Sequence, residues 1–212
     1  MVKKIFQKLL IQCCAPTLAG IKLGSLFSIK KEFVVDSEIK DLNLKLRSID
    51  IQIEIVRKRK ENFLIYVYNE KLLEQKMNCP KIRAFLHTFG YLDFHKDGLL
   101  EVLKERLSTE DEFPHEIGIF LDYPLCDVEG FINNKGNNFI VTGLWKVYGD
   151  AKSSKKIFES YCNCKTCFIA MYNKGYKTMD IIKKYNGGTY EENSGSVLVG
   201  NGQYGKNGKC HS

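Results

Sequence analysis

A thiol, an imidazole and a carboxylate form the first set of side chains in this sequence that could do chemistry. Cys14 ends an apolar helical pattern just before a proline, and His115 and Glu116 directly follow another proline that opens a predicted helix. With Glu116 or Asp122 as orienting acid, these residues suit a cysteine nucleophile if they lie within hydrogen-bond reach. Structural roles also fit, because a helix C-terminus disfavours a thiolate and a helix N-terminus stabilises a carboxylate.

Closely spaced cysteines form a second set, which suits a metal ion. Cys162, Cys164 and Cys167 have the short spacing found in zinc and iron–sulfur sites, and Cys210 with His211 could supply further ligands. On a continuous helix, however, the first two point about 200° apart, so only the second and third share a face. The alternative is that all three are small apolar side chains that pack along a helix.

The elements that must position these residues can be predicted from hydrophobic periodicity. Alternation over 51–55 and an apolar run over 63–68 predict an antiparallel hairpin, with a third strand over 139–148 and a short one at 26–29. The first helix is expected to end near Cys14. We predict an α+β fold in which a small, mainly antiparallel sheet of three to four strands is packed by helices. The helical patterns cover residues 2–14, 36–46, 70–77, 80–89, 98–107, 114–121, 124–133, 151–172 and 178–184.

Domain organisation follows from a change in composition near residue 186. Residues 1–185 are expected to form one α+β domain, since the chain is 44% apolar and 12% aromatic. Residues 186–212 are rich in Gly and Asn and poor in apolar side chains. We therefore expect a flexible, disordered tail there.

Charge and targeting signals predict a cytoplasmic protein with no membrane span. No stretch approaches the roughly 20 apolar residues that a bilayer crossing requires, and polar residues interrupt the apolar N-terminal pattern before it reaches signal-peptide length. The net charge of +7 is modest, and the only basic run, at residues 57–60, is expected to be a solvated turn. Nucleic acid is therefore an unlikely partner but not an excluded one. Nucleotide-loop, Rossmann, zinc-protease and hydrolase motifs are absent from the sequence.

Three stretches of the sequence together resemble a family of anaerobic, largely clostridial bacteria that is catalogued only as a domain of unknown function. The first, over 14–27, contains CAPTLAG; the second, over 113–132, contains FPHEIG and a later DV.GFI; the third, over 145–150, is WKVYGD. The resemblance spans about residues 3–183 and implies no known activity. It marks Cys14 and His115 as motif positions.

The resemblance also implies a physiological setting. Such proteins are often encoded near flavodoxin and iron-acquisition genes, which implies a role in iron, haem or flavodoxin-type redox metabolism and a flavodoxin-like or iron-handling partner. If the three stretches meet, Cys14, Thr17, His115, Trp145 and Tyr148 would line a shared pocket. Cys164 matches a family cysteine, whereas its neighbouring cysteines and the tail are not family features.

The sequence thus leaves three functions open. The first is a binding or accessory protein of iron or redox metabolism. The second is an interaction domain whose basic surface meets a nucleic acid or an acidic partner, and the third is a cysteine-dependent enzyme that uses Cys14 and His115. No cofactor can be named from the residues.

Overall fold

The computed structural model describes residues 2–34, 36–109 and 113–187. Cys210, His211 and all but the first two residues of the predicted tail lie outside these ranges. Within them, no helix is both long and apolar enough to span a membrane.

A three-stranded antiparallel sheet lies at the centre of the fold. Its strands are β1 (Gly24–Lys30), β2 (Ile51–Lys58) and β3 (Asn62–Asn69), in the order β1–β3–β2. The predicted hairpin is β2–β3, and the basic run occupies the end of β2 and the exposed turn that follows it. The short predicted strand at 26–29 is β1, paired along the full length of the other side of β3. The predicted α+β class and its small antiparallel sheet are confirmed.

The central strand β3 is apolar on both faces because each face carries a separate core. Ile65 and Val67 point into the first core, whereas Leu64, Tyr66 and Tyr68 point into the second. Successive side chains of a strand alternate between faces, so a continuous apolar run is what a strand covered on both sides requires.

Helices cover both faces of the sheet. The first core is covered by four helices, α1 (Val2–Leu18), α2 (Asp36–Leu46), α8 (Ala151–Asn173) and α9 (Thr178–Asn186). The second core is covered by five, α3 (Glu70–Met77), α4 (Pro80–His87), α5 (Lys96–Thr109), α6 (Ile117–Phe120) and α7 (Leu125–Asn133). Two 3-10 turns flank α2 on its two sides, at Lys31–Phe33 and Arg47–Ile49.

The first helix does not end near Cys14, as the sequence predicted, but continues through Pro16 to Leu18. A proline inside a helix removes one backbone hydrogen bond and costs about 3 kcal/mol. Cys14, Ala15 and Leu18 are fully buried in the first core, and burial of that apolar surface offsets the cost. The predicted helix over 114–121 is also shorter, with only the single turn of α6.

The single strand predicted over 139–148 is wrong. The segment folds into a separate small hairpin of β4 (Val141–Thr142) and β5 (Lys146–Val147), outside the main sheet. The chain reverses at Gly143, whose backbone packs so closely on the Phe158 ring that a side chain there would clash. A third, small core of Trp145, Val147 and Tyr161 anchors the hairpin to α8.

Gly24 joins the sheet to the α6 segment and should not tolerate a side chain. A Cβ atom at Gly24 would clash with the Phe120 carbonyl and lie 2.6 Å from the Tyr66 hydroxyl. We expect Gly24→Ala to lower the free energy of unfolding by about 1–3 kcal/mol, as overpacking of a filled core does. Urea denaturation followed by circular dichroism measures this. Ser28→Ala, at an exposed position of the same strand, is the control, and equal midpoints for the two variants would contradict the prediction.

Candidate functional site

An open cleft of about 430 Å³ lies between the segment 113–131 and the β4–β5 hairpin. Most of its lining is apolar. Four aromatic side chains form most of its walls, and these are Phe113, Tyr123, Phe131 and Trp145. Four polar side chains reach it, and these are His115, Asp127, Thr142 and Lys146. The cleft therefore combines aromatic surface with a few polar groups, which is the usual composition of a small-molecule site.

The base of the cleft is held by the buried carboxylate of Asp127. One oxygen accepts a hydrogen bond of 2.7 Å from the Trp145 indole N–H. The other accepts the backbone N–H groups of Tyr148 at 2.7 Å and Gly149 at 2.8 Å. Three donors compensate this carboxylate for its loss of solvent, and together they fix the indole and the end of the hairpin on α7.

A second carboxylate, Asp122, joins the segment before α7 to the rest of the fold. Its oxygens accept hydrogen bonds from the Lys76 ammonium at 2.9 Å, the Leu23 backbone N–H at 3.3 Å and the Tyr161 hydroxyl at 3.3 Å. Asp122 has the left-handed backbone conformation, with φ of 67°. This turn directs the next residue, Tyr123, toward the cleft.

The inner aromatic wall is a stack that continues to a lysine. The rings of Tyr123 and Trp145 stack with their centroids 4.8 Å apart, and Phe158 meets the indole edge-on at 4.4 Å. The Lys22 ammonium lies 5.9 Å from the centroid of Tyr123 and 5.6 Å from that of Tyr161. Burial lowers the pKa of Lys22, and the charges of Cys14 and Asp122 oppose this effect.

Two basic side chains stand at the outer wall of the cleft. His115 is exposed, and its imidazole meets the Phe131 ring edge-on with centroids 4.9 Å apart. The Lys146 ammonium donates a 2.7 Å hydrogen bond to the carbonyl of Gly136 and lies over the rings of Phe131 and Phe139. An imidazole and an ammonium thus lie beside the same phenylalanine, where both can meet a bound molecule.

The structure brings together only part of the predicted site. His115 and Trp145 line the cleft, whereas Cys14 and Thr17 are fully buried beside α8 and β1 and are not among the lining residues. The Thr17 hydroxyl lies 2.9 Å from that of Ser25. Burial, and to a lesser extent the neighbouring Cys13, raises the pKa of the Cys14 thiol well above its ordinary value, which disfavours a thiolate.

Glu116 and Tyr148 also have structural surroundings. The Glu116 carboxylate is almost fully buried and accepts a hydrogen bond from the Arg106 guanidinium of α5. The Tyr148 ring packs on Gly130, and its hydroxyl is buried without a hydrogen-bond partner in the described ranges. Both residues position the segments that carry the cleft and do not line it.

The cysteine cluster lies on one uninterrupted helix, α8. Cys162 is exposed, whereas Cys164 and Cys167 are buried. Burial raises the pKa of Cys164 to about 12, and a hydrogen bond with Tyr185 partly opposes the rise. Among the described residues, no group of three or more His, Cys, Asp or Glu side chains is placed to hold a metal ion.

The sequence missed the two carboxylates that organise the site. Both Asp122 and Asp127 were interpreted as charges that stabilise helix N-termini, because each lies beside the start of a predicted helix. Asp127 does lie in the first turn of α7, but its oxygens bind donors about 20 residues further along the chain. The one signal was their position in family-like stretches.

Replacement of Asp127 should loosen the hairpin and expose the tryptophan. Asp127→Asn keeps the shape of the side chain but turns an amide donor toward N–H donors, so we expect a loss of about 3 kcal/mol in the free energy of unfolding. Emission from Trp145, the only tryptophan, should shift to longer wavelength. Glu129→Gln, at an exposed position one turn nearby, is the control. Unchanged emission and stability in D127N would show that the carboxylate does not hold the indole.

Reactivity toward iodoacetamide should separate the buried thiols from the exposed ones. In the native protein at pH 8 we expect Cys14 and Cys164 to react on the order of 100-fold more slowly than Cys162, because they are enclosed and remain protonated. Mass spectrometry of peptides taken during labelling measures each rate. In urea the rates should converge. Fast labelling of native Cys14 would instead support a reactive thiol.

The three family-like stretches meet in space. Asp122 of the second binds Leu23 of the first, and Asp127 of the second binds Trp145 of the third. No match was found among curated proteins or among solved structures. The family model described as "Protein of unknown function (DUF3793)" matches residues 10–182, which contain the cleft and both cores. The chain belongs to this DUF3793 family.

Proposed function

We propose that this protein is a cytoplasmic binding or accessory protein of iron, haem or flavodoxin-type redox metabolism, and that its cleft binds a planar aromatic cofactor of the haem or flavin class. The observation that supports this most is the exposed imidazole of His115 in a cleft walled by aromatic rings. A planar ligand can stack on such rings and displace water from them.

The polar groups of the cleft favour a ligand that also carries negative charge. The Lys146 ammonium can meet a carboxylate or phosphate at the outer wall. The Asp127 carboxylate does not oppose this, since its oxygens already accept three hydrogen bonds. Haem propionates and the flavin phosphate both have the required charge.

Haem is the better fit of the two because of His115. A neutral imidazole is the most common protein ligand of haem iron, and an apolar wall beside it suits the face of a porphyrin. The Phe131 ring fixes one edge of the imidazole, so the side chain is partly ordered before a ligand binds. A flavin would use the same aromatic walls without a metal–nitrogen bond.

A haem titration with matched histidine variants tests the proposal. We expect the purified protein to bind haemin with a shifted Soret band, and His115→Ala to bind it at least about tenfold more weakly, because an axial ligand is lost. His87→Ala, which removes an exposed histidine on α4, should bind like the unmodified protein.

Each outcome of that titration has a defined meaning. Flavin mononucleotide binding that quenches Trp145 fluorescence, with no haem band, would support the flavin class. Haem binding that is equally weakened in the two histidine variants would place the haem elsewhere. Absence of binding to both ligands would contradict a cofactor-binding role for the cleft.

The other two functions have less support. A cysteine-dependent enzyme needs a thiolate within reach of a base, and the buried Cys14 lies apart from the cleft that His115 lines. A flavodoxin-like or iron-handling partner is compatible with a cofactor-binding role and is part of the proposal.

A further inference from the structure

Large exposed apolar side chains concentrate at the mouth of the cleft. In the described ranges seven such side chains are exposed, and four of them belong to this region. We call these four the hairpin patch, namely Phe113, Phe139, Ile140 and Leu144. Phe113 and Leu144 line the cleft itself, and the other two immediately precede β4. A contiguous exposed apolar surface of this kind marks an interaction site rather than random exposure.

The surroundings of the hairpin patch are basic. Residues 130–149 contain no Asp or Glu but contain Lys135 and Lys146. The first turns of α8 add the exposed Lys152, Lys155 and Lys156, and Phe158 on that helix contacts the hairpin turn at Gly143. The lone acid of these turns, Asp150, caps α8 by accepting hydrogen bonds from two backbone N–H groups. The patch therefore has apolar tips within a surface of positive charge.

We propose that the hairpin patch docks on an anionic lipid surface, with Phe139, Ile140 and Leu144 inserted between headgroups and the flanking lysines in contact with lipid phosphates. Apolar tips with basic flanks are what shallow insertion into an anionic bilayer requires. Docking in this way needs no spanning helix.

Charge decides between this occupant and a second copy of the chain. Two hairpin patches brought face to face would oppose five lysines with five lysines, which disfavours self-association. An anionic bilayer instead complements that charge over an extended surface. It also accepts apolar side chains without a shaped pocket. Because Phe113 and Leu144 border the cleft, docking would place the cleft mouth at the lipid interface.

Vesicle flotation with the full chain tests the proposal. We expect binding to vesicles of equal phosphatidylglycerol and phosphatidylcholine, little binding to phosphatidylcholine alone, and weaker binding as salt is raised. The double variant Phe139→Ser/Ile140→Ser should bind at least about tenfold more weakly, because it removes the inserted side chains. Lys135→Gln should weaken binding about fivefold, as loss of one lysine near an anionic surface does.

Exposed leucines elsewhere provide the matched control. Leu44 and Leu92 are 73% and 72% exposed, compared with 64% for Ile140, so Leu44→Ser/Leu92→Ser removes similar apolar surface far from the patch in sequence. This control should bind vesicles like the unmodified protein. All replaced side chains are exposed, and unchanged circular dichroism spectra would verify folding.

Three outcomes would overturn the proposal. These are no flotation with anionic vesicles, equal losses in the patch and control variants, and equally tight binding to soluble heparin, which would indicate a general polyanion or acidic-protein site. The proposal does not depend on the cofactor: vesicle binding is measured without haem, and haem titration is measured without lipid, so one can fail while the other holds.

Discussion

The architecture of the cleft depends on the buried carboxylate of Asp127. A buried charge is tolerated only when donors replace its water, and here all three donors come from residues 145–149. The same bonds that stabilise the carboxylate therefore determine where the hairpin ends and how the Trp145 indole faces. Without them the two-residue strands β4 and β5 would have little else to hold them, since strands this short are not stable alone.

This constraint is transmitted to the rest of the fold by the segment that precedes α7. The Tyr66 hydroxyl, on the central strand, donates a 2.8 Å hydrogen bond to the Phe120 carbonyl, and Asp122 binds α3, α8 and the residue before β1. The inner wall of the cleft is thus attached to the sheet and to both cores. The outer wall, with His115 and Lys146, has fewer fixed contacts. Ligand-binding surfaces often combine a rigid base with a more adaptable rim.

Elements set by local pattern could be predicted from the sequence, and elements set by distant partners could not. Helix α3 and the β2–β3 hairpin follow from periodicity and turn residues alone. The continuation of α1 through Pro16 depends on burial against other elements, which outweighs a local penalty. The hairpin at 141–147 depends on Asp127 and on Phe158, neither of which leaves a trace in the local alternation of residues 139–148. The same limit applies to the site, where only His115 and Trp145 of the predicted pocket reach the cleft.

The hairpin has two sides with opposite physical roles. Trp145 and Val147 face inward and are buried, and their packing on α8 stabilises the fold. Ile140 and Leu144 face water, where an apolar side chain adds nothing to the stability of the isolated chain and favours association. Four exposed large apolar side chains at one cleft mouth therefore need a cause outside the folding of this chain. Contact with an apolar or amphipathic partner supplies one, and the absence of acidic residues over 130–149 indicates that this partner is anionic.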